Sequence, residues 1–560
     1  MNIIYPMATL HCRRPAAIVM LVLVLLAAAF GTRAEIPDGD GTYDQLVDLF
    51  RDLQTWEQAQ AADIMPDYGQ SAIERRRADL RSMQQRMLQM GVRQWPVARQ
   101  VDYLTVRAEL DQQEFILEVT RPWSRNPAFY VEPLRELAFT ELPASGDDLL
   151  ALQRRLRAIP ELLAGARENL TEVASDYADF AIRSLTLSDG VENGYPYREK
   201  PPAGVMGWFE DLYSRADAQP MLKDDIAAAQ AAIGDFHRWL VDNRAGMNRL
   251  NGVSVEALDW FVQNALLLPY TSAEMIVLAE RELDRLWAFY ALERNRNRQL
   301  PELEIARSRA DYQERLAATD RHLRNWIRRE GFISIPEYIP DGWREMGYNV
   351  PWIERATPPN FWEQVQFRDP SPDHLHAVIP GHRFDALVAA NNPHPIRGKV
   401  NFGARWQGWA VYLEEGALQA GALEGLPRTR ELIYIFGIWR AARTLGDIYN
   451  QRNEMTAAET SEYWLDITPM LDPDVARKYA YLRPEPGHGL EYTIGNIQMF
   501  QLLGRRKHQL GDAFVLRDFH DDFISKGRIP ISLIRYEMTG YDRDVEAFWT
   551  RRPLSSVVSR

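Results

Sequence analysis

The side chains best suited to metal binding or proton transfer are concentrated in one short stretch. Three of the ten histidines in the chain, His374, His376 and His382, fall within nine residues, and His394 follows twelve residues later. Histidine is the commonest metal ligand and the usual acid–base group near neutral pH. For any one of these histidines alone we favour a helix-capping or polar-core role, but the cluster indicates a functional site.

The spacing of His376 and His382 differs from that of a regular metal-binding helix. Pro380 and Gly381 lie between them, and a regular helix turns by about 600° over six residues, which would point the two rings to different faces. Pro380 also lacks the N–H that would bond to the carbonyl of His376. We therefore expect the helix to bend or loosen here, and if both rings bind one ion, this distortion brings them together.

Several motifs, in the same order, resemble those of a bacterial family known as domain of unknown function 885. Residues 376–382 resemble its H-E-A-x-P-G-H signature, residues 407–414 its E-G-W-A-L-Y-x-E helix, and residues 486–495 its P-G-Q-A-L-S-Y-K-I-G motif. Further similar segments are residues 102–115, 123–130, 510–512 and 519–521. The resemblance implies a distant relation to α-helical zinc carboxypeptidases and angiotensin-converting-type peptidases.

Two departures from the family pattern bear on the chemistry. Ala377 stands where the resemblance implies a glutamate general base, and Gln407 stands where it implies a glutamate metal ligand, while His376 and His382 remain. Replacing a carboxylate ligand by an amide weakens the hold on a divalent ion, and an alanine cannot take a proton from bound water. The standard zinc–water mechanism is therefore not expected, although zinc bound by the two histidines remains an alternative.

Nearby residues could compensate for the missing carboxylates. Gln407 and Glu414 share a helix face, so Glu414 is a candidate catalytic residue, with a structural carboxylate paired to an arginine as the alternative. Asp373 and His374 could supply another ligand, although we favour a place in the first turn of a helix for His374.

A second candidate constellation lies in the C-terminal part. His488, Glu491 and Tyr492 are spaced i, i+3 and i+4, which places them on one face of a helix. A His–Glu pair can act as a general base and a tyrosine can donate a proton or stabilise an oxyanion. These three residues are therefore candidate catalytic residues, with a buried hydrogen-bond network as the alternative.

Substrate binding is assigned to polar and aromatic residues near these motifs. Arg535 could bind a substrate carboxylate, as could Arg440 and Arg443, since a guanidinium matches that geometry, although ion-pair roles are commoner. Trp406 and Trp409 flank Gln407 and could line a pocket. The candidate substrate-binding residues are Gln407, Trp409, His520, Arg535 and Tyr536.

The first 34 residues have the pattern of a secretory signal. Arg13 and Arg14 precede an apolar run, and a small-x-small site ends at Ala34. Removing 34 of the 560 residues leaves 526. The leader holds three of the 65 basic side chains and no acidic one, so 62 basic and 78 acidic side chains remain, a net charge of −16. This acidic chain does not suit nucleic acid, and we expect a periplasmic or secreted protein without stable membrane insertion.

The rest of the chain is predicted to be mainly α-helical. Residues 35–560 read as a single helical domain with a possible lobe boundary near 185–207, and helix signals dominate, such as the capping pattern from Thr271 to Glu274. The proline- and aromatic-rich segment 332–370 is read as irregular backbone or a minor β element. Together with the resemblance, this predicts a two-lobed, zinc-peptidase-like helical fold with a deep central cleft.

Three functions are compatible with these observations. The favoured one is an exported hydrolase or lyase that acts on a small polar or peptide-like substrate by a non-standard, metal-independent mechanism. The alternatives are a true zinc hydrolase with altered ligands and a non-catalytic protein that binds a peptide or glycan.

Overall fold

The structure is a computed structural model, and it describes residues 36–558 apart from 63–66, 188–195, 197, 199, 201, 251, 353–357, 483–485 and 551. The predicted signal sequence lies outside these residues, as does about half of the predicted lobe boundary near 185–207. Across the ranges described, no helix combines the length and the apolar character needed to cross a membrane.

The described residues are mainly α-helical, as predicted. The helices in chain order are α1 Tyr43–Ala62, α2 Gln70–Leu88, α3 Val97–Phe115, α4 Pro122–Arg125, α5 Ala128–Ala138, α6 Gly146–Asn169, α7 Ser175–Thr186, α8 Gly204–Arg215, α9 Lys223–Asn243, α10 Val255–Trp260, α11 Ser272–Arg296, α12 Arg309–Glu330, α13 Trp343–Met346, α14 Phe361–Arg368, α15 Ser371–Ala377, α16 His382–Ala390, α17 Gly403–Gln419, α18 Pro427–Gln451, α19 Ala457–Ile467, α20 Pro473–Leu482, α21 His488–Leu510, α22 Leu516–Ser525, α23 Ile531–Thr539 and α24 Arg543–Phe548.

Local sequence signals fix some of these boundaries. α11 begins with the predicted capping box: the Thr271 side chain accepts a hydrogen bond from the Glu274 backbone N–H, and the Glu274 carboxylate accepts one from the Thr271 backbone N–H. These bonds satisfy backbone donors that the first turn of a helix leaves free.

The predicted minor β element is wrong for the residues described. They contain only two isolated bridges, Gly41 with Met90 and Ala174 with Asn248, and neither falls in segment 332–370. The described residues of that segment form the short helices α13 and α14 and otherwise irregular backbone. Its aromatic and branched side chains, such as Phe332 and Ile339, enter the core, so the apolar pattern reflects burial and not strand pairing.

Three long helices, α17, α18 and α21, form the framework around the histidine stretch. α17 packs against α21, while α18 packs against both α11 and α21. At the crossing of α17 and α21, a Cβ atom on Gly408 would lie 2.5 Å from the carbonyl carbon of Gly495. Only glycine allows this approach, so the backbones that carry Trp406, Glu414 and Tyr492 are held at a fixed separation.

Candidate active site

The break between α15 and α16 brings His376 and His382 together. α15 ends at Ala377 and α16 begins at His382, with a cis peptide bond before Pro380. The chain turns so tightly that a Cβ atom on Gly381 would lie 1.9 Å from the His376 carbonyl oxygen. The two imidazole rings meet edge to face with centroids 4.6 Å apart. The predicted distortion at Pro380 is therefore confirmed.

His376 belongs to a buried cluster with Glu414 and Arg440. Its Nδ1 atom lies 2.7 Å from Glu414 Oε1 and 3.2 Å from Arg440 Nη2, which is itself 2.7 Å from Glu414 Oε1. Burial lowers the pKa of His376 well below its usual value and raises the pKa of Glu414 to about 8, although the Arg440 charge opposes the second shift. Glu414 thus faces the histidine stretch, paired with an arginine as in the structural alternative.

His382 lies beside this cluster as a neutral imidazole. Its ring stacks on Trp406 with centroids 4.2 Å apart. Burial and the neighbouring His376 lower its pKa well below the usual value, while a hydrogen bond with Gln407 opposes that shift. His382 Nδ1 has no hydrogen-bond partner of acceptable geometry among the described residues. This ring is therefore positioned by packing and retains hydrogen-bonding capacity.

Asp373 is a buried carboxyl group on the same side of α15 as His376, three residues earlier. Asn349 Nδ2 donates to Asp373 Oδ1 at 3.2 Å, and Oδ2 has no hydrogen-bond partner in the described parts of the chain. Burial raises the pKa of Asp373 to about 6, against the effects of Asn349 and Arg440. A carboxyl group that titrates near neutral pH is a candidate general acid or base.

Of these groups, Asp373, His376, His382 and Arg440 border one cavity of about 310 Å³ between α15, α17, α18, α20 and α21, whereas Glu414 is absent from its lining. The size is at the lower end of the range for small-molecule sites, which is about 300–1,000 Å³. Three cationic side chains border it against a single acidic one, which favours an anionic ligand. The lining residues are Asn349, Val350, Trp362, Asp373, His376, His382, Trp406, Gln407, Trp439, Arg440, Arg443, Lys478, Tyr479 and Tyr492.

The ligand set expected for zinc does not fit this arrangement. The Arg440 guanidinium lies against Nδ1 of His376, and the same ring is hydrogen-bonded to the backbone of Ala410. A fixed cation therefore lies beside Nδ1, where it would repel a metal ion bound to that atom. Within the ranges that the structure covers, no group of three or more His, Cys, Asp or Glu side chains is arranged to hold a metal ion.

The structure divides the second predicted constellation between two cavities. Tyr492 borders the 310 Å³ cavity, whereas His488 and Glu491 border a separate cavity of about 620 Å³ with the apolar side chains Phe115 and Phe261. Tyr492 and His488 remain in contact, with the hydroxyl oxygen 3.4 Å from His488 Nε2. The first turn of α21 thus separates the two cavities, and Glu491 does not join the histidine stretch.

Of the predicted substrate-binding residues, Gln407 borders the 310 Å³ cavity and the other four are absent from its lining. Trp409 is fully buried and donates from Nε1 to the Pro380 carbonyl at 3.0 Å. His520 is fully buried between the Tyr412 hydroxyl and a backbone carbonyl, at 2.8 and 2.6 Å. Arg535 pairs with Asp544, and the neighbouring Tyr536 packs against the main core. These four side chains pack among the surrounding helices.

Several cavity residues were assigned no role from the sequence or only a secondary one. The sequence indicates Asp373 only as an extra ligand, although its i, i+3 spacing from His376 is a usable signal. For Arg443 the sequence favours an ion-pair role over carboxylate binding, yet the residue borders the cavity. Lys478 and Tyr479 reach the cavity from α20, and no spacing rule links them to residues a hundred positions earlier.

Comparisons with known proteins support the fold but do not identify an activity. The family described as "Bacterial protein of unknown function (DUF885)" matches residues 54–538. No curated protein matches the chain. A candidate lipoprotein of unknown function from Shewanella oneidensis has a similar structure, with a TM-score of 0.70 and 16% identity over 89% of this chain and 100% of the other. A candidate lipoprotein from Colwellia psychrerythraea also has a similar structure, with a TM-score of 0.67 and 15% identity over 91% of this chain and 99% of the other.

Proposed function

Since this chain belongs to the DUF885 family of bacterial proteins of unknown function, we propose that it is an exported enzyme that cleaves a small polar or peptide-like substrate by metal-independent acid–base chemistry. The proposal includes an envelope location, which is supported by the candidate lipoproteins of similar fold. It also retains the two-lobed shape with a central cleft as a prediction.

One observation carries the proposal. Asp373 and His382 border the same cavity, and each has an atom without a hydrogen-bond partner among the described residues. Their surroundings shift the two pKa values in opposite directions, upwards to about 6 for Asp373 and downwards for His382. Pairs of titratable groups with pKa values driven apart are typical of acid–base assignments in enzymes.

The two groups suggest complementary roles near pH 7. Asp373 is mostly ionised above about pH 6 and would accept the proton of an attacking water or substrate hydroxyl group. His382 is neutral and would donate a hydrogen bond to the oxygen that gains negative charge. Trp406, stacked on His382, limits rotation of that imidazole and so keeps it oriented.

Arg440, Glu414 and His376 would act as a positioning cluster. The guanidinium of Arg440 contacts both the carboxyl group of Glu414 and the ring of His376. This arrangement fixes α15 against α17 and α18, and with it the side chain of Asp373.

A non-catalytic binding protein is the second candidate, favoured by the replacement of both family glutamates by Ala377 and Gln407.

The test combines metal content with turnover. Mature protein prepared without a histidine tag is analysed by elemental mass spectrometry, and its turnover of N-acyl amino acids and short peptides is followed by mass spectrometry with and without EDTA. We expect far less than one zinc per chain and EDTA-resistant turnover. Stoichiometric zinc with EDTA-sensitive turnover would establish the metal-dependent alternative, and binding without turnover would establish the non-catalytic one.

A matched pair of variants locates the chemistry. Asp373→Asn keeps the shape of the side chain and removes the base, so kcat/KM should fall by about 10²–10⁴-fold. Asp512→Asn makes the same exchange at an exposed residue outside the cavity lining and should leave turnover unchanged. Equal activity of both variants would contradict the role of Asp373.

A further inference from the structure

We infer that Arg443 is the receptor for a carboxylate group of the substrate, an inference that rests on the proposed function because it concerns the same cavity. Arg443 lies on α18, one turn after Arg440, and borders the 310 Å³ cavity. The inference names the substrate class as small carboxylic acids.

The charge of Arg443 is buried without a matching anion. The residue is 4% exposed, and none of the described carboxylates lies within ion-pair distance of it. The Arg443 charge lowers the pKa of Asp447, one turn later, against the larger effect of burial, but the Asp447 carboxyl group accepts a backbone hydrogen bond from Leu490 and forms no ion pair with Arg443. Buried arginines are normally paired, so a cationic group that borders a cavity in this state is suited to an external anion.

Aromatic rings hold this guanidinium in place. Its central carbon lies 4.4 Å from the ring centre of Tyr479, 4.7 Å from that of Tyr492 and 5.4 Å from that of Trp439. Ring faces stabilise a cation without neutralising it, and they restrict the rotamers of the side chain. The donors of Arg443 are therefore positioned before a ligand arrives, which reduces the entropy lost on binding.

Arg440 provides an internal comparison. It is equally buried, at 3% exposed, but its guanidinium already contacts Glu414 at 2.7 Å and donates to the Phe436 carbonyl at 3.0 Å. The protein itself therefore supplies a carboxyl partner for Arg440, and only Arg443 of these two arginines remains available to a ligand anion.

A carboxylate suits the cavity better than a phosphate. A guanidinium binds the two oxygens of a carboxylate in one plane, and flat aromatic side chains such as Trp406 and Tyr479 border the same space. Asp373 also borders the cavity, and when ionised it would repel a dianionic phosphate more strongly than a carboxylate of single charge.

The experiment compares two probes that share an uncharged benzoylglycyl group and differ only at its end. N-benzoylglycine ends in a carboxylic acid, and N-benzoylglycinamide ends in the corresponding amide. Binding to the full mature chain is measured by isothermal titration calorimetry. We expect the acid to bind at least about tenfold more tightly than the amide, because a charge-assisted pair is lost in the amide. Arg443→Met should abolish this preference, and Arg443→Lys, which keeps the charge but not the planar fork, should retain part of it.

Arg505→Met serves as the control, since Arg505 also stacks on a ring, that of Tyr541, but is exposed and lies outside the cavity lining. It should keep the full preference. Equal binding of the two probes to wild type, a preference retained in Arg443→Met, or no binding of the acid at millimolar concentration would overturn the inference. If the preference depends on Arg443 but no substrate is turned over, the receptor stands and the proposed enzymatic function fails.

Discussion

His374 and His376, which are separated by a single residue on α15, each belong to a cluster with a carboxyl group and an arginine, but the two clusters have different surroundings. His374 Nε2 donates to Asp320 at 2.9 Å, and Asp320 also accepts from Arg324 at 2.8 Å, all three residues being at most 3% exposed. His376 makes the corresponding cluster with Glu414 and Arg440. The first cluster is enclosed by core, whereas the second borders a cavity.

The difference shows that a histidine, a carboxylate and an arginine in contact do not by themselves define a functional site. Burial would raise the pKa of Asp320, but the hydrogen bond with His374 and the charges of His374 and Arg324 outweigh it and lower that pKa. At Glu414 burial prevails and the pKa rises to about 8. A cluster enclosed by the core stabilises the fold, whereas a cluster that borders a cavity can act on a ligand.

The largest expected effect is on the enclosed cluster. Asp320→Asn removes the partner of a buried cation, and this should lower the free energy of unfolding by about 3–5 kcal/mol. Because the pKa of Asp320 is lowered in the fold, its contribution is present above the unfolded pKa and is lost as the pH falls through the folded pKa. Urea unfolding at several pH values measures both effects. A loss below about 1 kcal/mol would remove the distinction between the clusters.

The next effect concerns the pH dependence of stability at the cavity. The pKa of Asp373 is raised to about 6, so its contribution to stability is full below the unfolded pKa near 4 and is lost as the pH rises through 6. Asp373→Asn does not titrate and should gain stability relative to wild type across that window, by up to about 3 kcal/mol. Parallel stability curves for the two proteins from pH 4 to 7 would contradict the raised pKa.

A smaller effect is expected at Glu414. Its raised pKa means that a neutral carboxyl group is readily tolerated, and the adjoining cavity allows water to reach Arg440. Glu414→Gln should therefore cost only about 1 kcal/mol in unfolding free energy, well below the cost of Asp320→Asn. Both variants are compared by urea unfolding at pH 7, and equal losses would mean that the second cluster is as enclosed as the first.

The smallest effect is expected at His488, which borders the 620 Å³ cavity and not the site of Asp373. His488→Gln should change kcat/KM by less than about twofold, as for a substitution outside the reacting centre. A loss comparable with that of Asp373→Asn would move the chemistry to the start of α21.

Much of the fold follows from local signals. Apolar periodicity and capping residues such as Thr271 act within one or two turns, so the helices and some of their ends could be predicted. Segment 332–370 could not, because residues such as Phe332 and Ile339 are apolar for reasons of burial and give the same local pattern as strands.

The candidate site was predictable only in part. The proximity of His376 and His382 follows from Pro380, a local constraint on the backbone. The contact of Arg440 with His376 depends on how α18 packs against α15, and nothing in either segment alone encodes it. Likewise, the shared face of His488 and Tyr492 was visible in the sequence, but the two cavities on either side of α21 were not.

The glycine crossing of Gly408 and Gly495 has a consequence for the kinetics of ligand exchange. Helices in direct backbone contact have no side chains that could repack to let them separate, so α17 and α21 form a rigid side of the cavity. Tyr479 and Lys478 border the cavity from α20, which is not part of this crossing. The rates at which a ligand enters and leaves should therefore depend on displacement of α20, and substitutions there should alter residence time more than equilibrium geometry.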